Sequence, residues 1–437
     1  MPNRTDARRA GRSIPFPTPF LTTTLLAALA MGCSGGDAAS DSPSRATVRD
    51  SAGIEIVENA IPDASPIAIA AADEPLLSIG TIEGNETSQF HRVQDGIRLP
   101  DGRLAILNAG TYEVRIYGPD GTLETRFGHQ GEGPGEFGLP MQLTLLPPDT
   151  LAVFDLRSWE VLFFLDDGTF LGSEPGRSAY QDLVPEGLLA EGGFAAPHEG
   201  LFLRAYRFGV QHPVGERFVP EMHLIFVARD STTRELYEPG GFEQVMLKPE
   251  AGRPTSAQVR FGMSGVAALG GRPPRVWTGR NDRYELWQFD SGGELLRIVR
   301  ADRRPLAVTE ADVERSTKQV RQSLTDAPIP EDRKKAMLDM ALQAPSADSM
   351  PVFRRVFVTV DGGAWVGRVQ RPSEDPDDWI PEYDVFGPDG RWLGLAHPPK
   401  GVQPLEIGAD YFLGLRRDDL GVEHVELYDL GPPSVAR

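Results

Sequence analysis

One cysteine, Cys33, occurs in the 437 residues, so no internal disulfide framework holds this chain together. Basic residues are also scarce: 44 Lys and Arg stand against 63 Asp and Glu, a formal charge of −19. That balance works against nucleic acid, which needs basic surface to displace counterions, and against an anionic membrane surface as a direct partner. The common signatures of catalysis are missing. The 7 histidines lie at no metal-binding spacing, and neither HExxH nor CxxC occurs, so no zinc site is visible. No GxSxG marks a nucleophile elbow. The pronounced apolar run at residues 20–31 is too short to span a bilayer as a mature helix. Turn formers are plentiful instead, with 47 Gly and 38 Pro, and 40% of the residues are hydrophobic, enough for a sizeable core.

Arg4, Arg8, Arg9 and Arg12 precede the apolar run, giving the charged and apolar regions of an export signal. The residues LAMGC, ending at Cys33, resemble a bacterial lipobox, where a signal peptidase cuts before a cysteine that carries lipid. The resemblance implies a signal peptide over 1–32, lipidation of Cys33 and attachment to a membrane through that lipid. Ala30 stands where leucine is usual, which leaves plain secretion as the alternative. Ser34, not Asp, follows the cysteine, which by resemblance to enterobacterial sorting rules permits the outer membrane. The expected location is the bacterial cell envelope, anchored in the periplasm or at the outer membrane. SGGDAASDSPS has nothing to bury and reads as part of a flexible tether over 33–47. A lead-in segment, 48–74, comes after it.

A phrase then repeats: a strand ending in an aromatic, a tight Asp or Gly turn, another strand. It appears as VRIYGPDGTLETRF from Val114, VLFFLDDGTFLG from Val161 and MHLIFVARDSTTREL from Met222. It returns as ELWQFDSGGELLRIV from Glu285, YDVFGPDGRWLGLA from Tyr383 and, cut short, HVELYDLG from His424. Asp-Gly between alternating apolar runs is a strong hairpin signal. A second strand-like phrase precedes each copy, as in DGRLAI from Asp101, and a further apolar strand precedes that. Three or four strands per unit in six units predict an all-β, six-bladed propeller over 75–430, with a short tail at 431–437. Five or seven blades would require a miscounted unit at 183–262, where the repeat is least regular. The last unit lacks a fourth strand, and PLLSIG at 75–80 is an orphan placed to supply it and close the ring.

FGHQGEGPGEFGLP together with VRIYGPDGTL resembles the NHL-type six-bladed propeller, and is similar to bacterial lipoproteins of that class whose biochemical role is undefined. The GPGEFG inside it spells GxGxxG, but a phosphate cradle needs a helix after the glycines. The next residues, LPMQLTLL, are strand-like, and Glu132 and Glu136 would repel phosphate. The glycines are expected to turn the chain from the outer strand of one blade to the inner strand of the next.

Residues 309–344 break the β pattern. Thr309 and Asp312 imitate a capping box, and Val313, Thr317, Val320 and Leu324 share a helical face. Pro330 suits the first turn of a second helix. A helical hairpin between the fourth and fifth blades is expected, as a brace or a lid. The acidic stretch SEDPDDW at 373–379 offers carboxylates to calcium without the spacing of a defined calcium loop, so no cofactor is expected and calcium is a weak alternative.

The connections after the second strands carry arginine: Arg157, Arg204, Arg207, Arg280, Arg283, Arg368, Arg371, Arg416 and Arg417, with Trp159 and other aromatics among them. Guanidinium forks suit carboxylates and sugars, so one face is a candidate site for an anionic or carbohydrate ligand, or for a protein partner. The competing reading pairs these arginines with Asp155, Asp282, Asp418 and Asp419. Two functions remain open: a binding or scaffolding module, and a metal-dependent propeller hydrolase or lyase acting on a lactone or glycan.

Overall fold

The computed structural model describes residues 46–432 apart from 63–64, 83–85, 175, 249–252, 328 and 372–379. The expected signal peptide and most of the tether, Cys33, the acidic stretch at 373–379 and the end of the tail lie outside the described residues. The described chain is mostly β, with two helices of more than ten residues, Glu310–Asp326 and Glu331–Gln343.

Six antiparallel sheets succeed one another, each with neighbouring strands in chain order. The first comprises Val93–Arg98, Leu104–Asn108, Glu113–Tyr117 and Leu123–Phe127; the second Pro140–Leu146, Thr150–Asp155, Glu160–Leu165 and Phe170–Glu174. The third holds Leu188–Ala196, Gly200–Arg207, Met222–Ala228 and Thr233–Tyr237; the fourth Gly265–Gly270, Arg275–Arg280, Glu285–Asp290 and Leu295–Ala301. In the fifth are Phe353–Val358, Ala364–Arg368, Tyr383–Phe386 and Trp392–His397. The sixth has Val402–Ile407, Tyr411–Arg417 and Glu423–Gly431, and the orphan strand, Leu77–Ile79, pairs antiparallel with the last of these.

Burial explains the strand sequences. Second and third strands are covered on both faces and read as continuous apolar runs, as in Leu104–Asn108 and Glu160–Leu165. The fourth strand of the first sheet, Leu123–Phe127, alternates half-buried with exposed, as an outer strand should. Apolar side chains form six clusters, each between two sheets consecutive in sequence. The exception in order is the cluster that joins Leu413 and Val425 of the sixth sheet to Leu104 and Ile106 of the first.

Ala46 and Thr47, expected at the end of the flexible tether, instead begin a paired strand, and the lead-in segment does more than its sequence announces. Ala46–Ser51 and Ile54–Asn59 form a hairpin whose second strand runs parallel beside Leu295–Ala301, widening the fourth sheet. Ile67–Ala71 runs parallel beside Trp392–His397 of the fifth sheet and touches Glu423–Gly431 of the sixth. The irregular region after the third sheet adds a small sheet of Arg217–Phe218, Gln244–Leu247 and Thr255–Gln258.

The glycine-rich stretch is a corner from Leu123–Phe127 to Pro140–Leu146. Gly128 has φ +87°, and a Cβ there would strike the buried Phe137 ring at 2.3 Å. The Glu136 carboxylate folds back onto the Gly133 N–H at 2.8 Å and His129 at 2.8 Å. No helix succeeds the glycines, and a carboxylate fills the place a phosphate would need.

Candidate functional site

Six of the nine candidate arginines, Arg204, Arg207, Arg280, Arg368, Arg416 and Arg417, lie on the second strands themselves and not in the connections expected of them. Arg157, Arg283 and Arg371 are in connections, and buried polar groups at the ends of second strands hold the corners. Asp155 accepts four backbone N–H bonds: Gly138 and Leu139 at 2.7 Å each, Arg157 at 2.9 Å and Ser158 at 3.1 Å. Asn108 accepts from the His91 N–H at 2.8 Å and Asn281 from the Ser264 N–H at 2.6 Å. Each side chain thus ties the incoming corner to its own sheet, because a buried backbone N–H without a partner is costly.

Most of the candidate arginines are paired within the chain. Arg416 donates to Glu426 at 2.7 and 2.9 Å and to the Tyr428 hydroxyl at 2.7 Å. Arg417 donates to Glu423, Arg207 to Glu221, and Arg283 reaches Glu285 at 3.3 Å. Arg371 holds Asp312 at 3.3 Å and the Ala307 carbonyl, at the capped start of the first long helix. Arg260 donates to Thr317 of the first helix at 3.1 Å and to the Ala341 carbonyl of the second at 2.9 Å.

Arg368 is not a surface group. Its side chain is 2% exposed and donates to Asp384 at 2.6 and 2.9 Å. Asp384 also accepts from Tyr284 and Trp392, a buried network linking the fourth and fifth sheets. Trp159 needs a similar correction: at 3% exposure it packs in the core between the second and third sheets and offers no platform to a ligand. Among the expected aspartate partners, Asp282 alone takes an arginine, Arg280 at 3.3 Å. The Arg280 Nε is buried without a hydrogen-bond partner. Arg157 and Arg204 are exposed, and neither has a carboxylate partner among the described residues. The arginines thus serve several separate local contacts.

First strands of five sheets line a small cavity of about 100 Å³. Asp95, Gln142, Arg272 and Glu406 supply its polar wall. Gln142 also clamps the first strand of the third sheet, donating to the Ala195 carbonyl at 2.9 Å and accepting from its N–H at 3.1 Å. Glu406 accepts from the Arg272 guanidinium, the Arg98 N–H at 2.7 Å and the Tyr411 hydroxyl at 2.5 Å. Burial raises its pKa, and the Arg272 charge and these bonds pull it part of the way back. Asp95 accepts the Leu143 N–H at 2.7 Å and the Gly96 N–H at 2.8 Å. Burial nevertheless pushes it up to about 7, and the Glu406 charge adds to the rise.

A second concavity lies between the fifth and sixth sheets, an open cleft of about 510 Å³. Arg354, Arg355, Tyr383, Lys400 and Gln403 line it, with Glu382 on the same wall. Of the arginines singled out by sequence, Arg368 borders this place, with both ends of its connection at Gly367 and at Pro381–Tyr383, whereas Arg354 and Arg355 were not among them. The available signal is FRRVFV, in which two consecutive arginines break the alternation expected of a strand.

Among the described residues no three His, Cys, Asp or Glu side chains converge as metal ligands would. No family model matches the chain, and no characterised protein matches it in sequence. In structure it is similar to an exported protein of Bacteroides fragilis, at 9% identity and TM-score 0.43 over 85% of this chain and 98% of that one. It is also similar to a Bacteroides vulgatus protein from a family of unknown function, at 11% identity and TM-score 0.45 over 84% and 99%. A third likeness is to regucalcin, a calcium-binding protein of Agrobacterium tumefaciens, at 8% identity and TM-score 0.34 over 85% and 97%. At such distances these likenesses carry nothing about ligand or chemistry.

Proposed function

We propose that this protein is an exported binding module, anchored by lipid at Cys33, whose six sheets form a closed six-bladed propeller. The cluster between the sixth and first sheets and the pairing of Leu77–Ile79 with Glu423–Gly431 support the closed ring. The export signal and the lipobox-like LAMGC support the location.

The observation that carries the binding reading is the contrast between the small cavity and the cleft. The cleft is one of several open concavities, others having about 620 and about 400 Å³. Ligand pockets run to roughly 300–1,000 Å³. The small cavity, at about 100 Å³, falls short, and its charges are engaged by the chain itself. The inter-sheet cleft, at about 510 Å³, is within that range and open. A ligand therefore meets the outside of the ring, in the manner of a binding or scaffolding module.

One observation favours the hydrolase or lyase reading: Asp95, at about 7, is poised for proton transfer near neutral pH. Its two oxygens are already held by backbone N–H groups, and the space beside it is small.

Two measurements test the proposal. In a bacterial host fed labelled palmitate, the full chain takes up label and stays with the membranes, and Cys33→Ser abolishes both. An unlabelled, freely released wild type contradicts the anchor. For the binding reading, the melting temperature is expected to be indifferent to calcium and EDTA. About one tightly held calcium or zinc per chain would favour the enzyme.

A further inference from the structure

We infer that the cleft between the fifth and sixth sheets binds a small multivalent oxyanion, a polycarboxylate or a phosphate ester, through the guanidinium groups of Arg354 and Arg355. This rests on the binding-module reading and gives it a site and a ligand class.

Neighbouring residues of a regular strand point to opposite faces of the sheet. Phe353–Val358 is not regular here. Phe353 pairs with Arg368 and Val356 with Val366, so three steps on one strand match two on the other. The extra residue is a β-bulge, a device that re-aims side chains and is frequent beside functional sites. Its result is that Arg354 and Arg355 are both exposed and both line the same cleft.

Neither guanidinium has a carboxylate partner among the described residues, whereas Arg368, on the adjacent strand, is fully engaged by Asp384. Desolvation in the cleft and the Arg355 charge together lower the pKa of Arg354, so the two cations oppose one another. An anion with two or more charges relieves that repulsion, and two planar forks offer it bidentate bonds. Tyr383 and Gln403 supply further polar groups at the wall. A competing use for the arginines lies in the chain itself: Glu374, Asp375, Asp377 and Asp378 stand in the connection from Ala364–Arg368 to Tyr383–Phe386.

The test is calorimetric titration of the full chain at low salt with citrate and with pyrophosphate, chloride serving as the monovalent control. The expected result is one site for at least one of the two, weakened at least about tenfold by Arg354→Ala or Arg355→Ala and further by the double variant. Because both side chains are exposed, melting temperatures of the variants should match the wild type. Stronger binding of citrate assigns a polycarboxylate, and of pyrophosphate a phosphate ester. Binding that survives the double variant overturns the site but leaves the binding module intact. Binding that appears only after Glu374→Gln, Asp375→Asn, Asp377→Asn and Asp378→Asn together assigns the arginines to their own connection and overturns the proposal. No binding in any variant overturns it too, while the anchor and metal measurements judge the module separately.

Discussion

The small cavity lined by first strands and the cleft between the fifth and sixth sheets both gather charged side chains, but they complete them differently. In the small cavity, Glu406 meets Arg272, the Arg98 N–H and the Tyr411 hydroxyl, and Asp95 meets two backbone N–H groups. In the cleft, Arg354 and Arg355 sit side by side, and no described carboxylate pairs with either. Charges that the fold needs find partners inside it, because an unpaired buried charge is costly. Charges left open in a concave, solvent-facing place cost the fold little and remain available to a ligand. A density of arginines in sequence does not separate these cases; their partners do.

The largest effect is expected in the small cavity. Arg272→Ala leaves the Glu406 carboxylate nearly buried without its cation and should cost about 3–5 kcal/mol in urea denaturation. A cost under about 1 kcal/mol would mean that the charges of the small cavity are solvated and free rather than held by the chain.

Asp95 gives a smaller effect with a defined sign. Its folded pKa, about 7, lies above the ordinary carboxylate range. Such a group favours the fold below about pH 4, and that contribution is lost as the pH rises toward 7. Measured against Asp95→Asn, the wild type should lose about 2 kcal/mol of relative stability between about pH 5 and about pH 8. A flat difference would show that Asp95 is ionised throughout, as its two N–H bonds alone would have it.

The least expected change is in the stability of the cleft. Arg354→Ala with Arg355→Ala should shift it by no more than about 0.5 kcal/mol, or raise it slightly by removing the repulsion. A clear loss would place these arginines among the structural ones and sharpen the boundary between the two regions.

Much of this architecture was legible in the sequence because its signals are local. Five of the six repeated phrases fall on third strand, turn and fourth strand, the sixth on a third strand alone, and turn glycines such as Gly121, Gly168 and Gly390 do take positive φ. The Thr309–Asp312 capping box forms as the spacing implies. The features that escaped depend on distant partners. Ile54–Asn59 pairs in parallel with a strand some 240 residues on, without any turn to announce it. Arg416 and Arg417 find Glu426 and Glu423, not the nearby aspartates, because cross-strand register places Glu423 opposite Arg417 and Glu426 diagonally across from Arg416. Trp159 stands in a polar-looking connection, yet the chain there folds it into the core. The Arg354 and Arg355 pair escaped for a similar reason, since a bulge becomes visible only when both strands of the pair are known.

The most direct test of the contrast is one set of urea denaturation curves with and without citrate or pyrophosphate, on wild type, Arg272→Ala and the Arg354→Ala, Arg355→Ala double variant. The account predicts that Arg272→Ala loses stability yet keeps the stabilisation by anion, whereas the double variant keeps its stability and loses the response to anion. The reverse pattern, an Arg272→Ala variant blind to anion and a cleft variant that unfolds early, would contradict it.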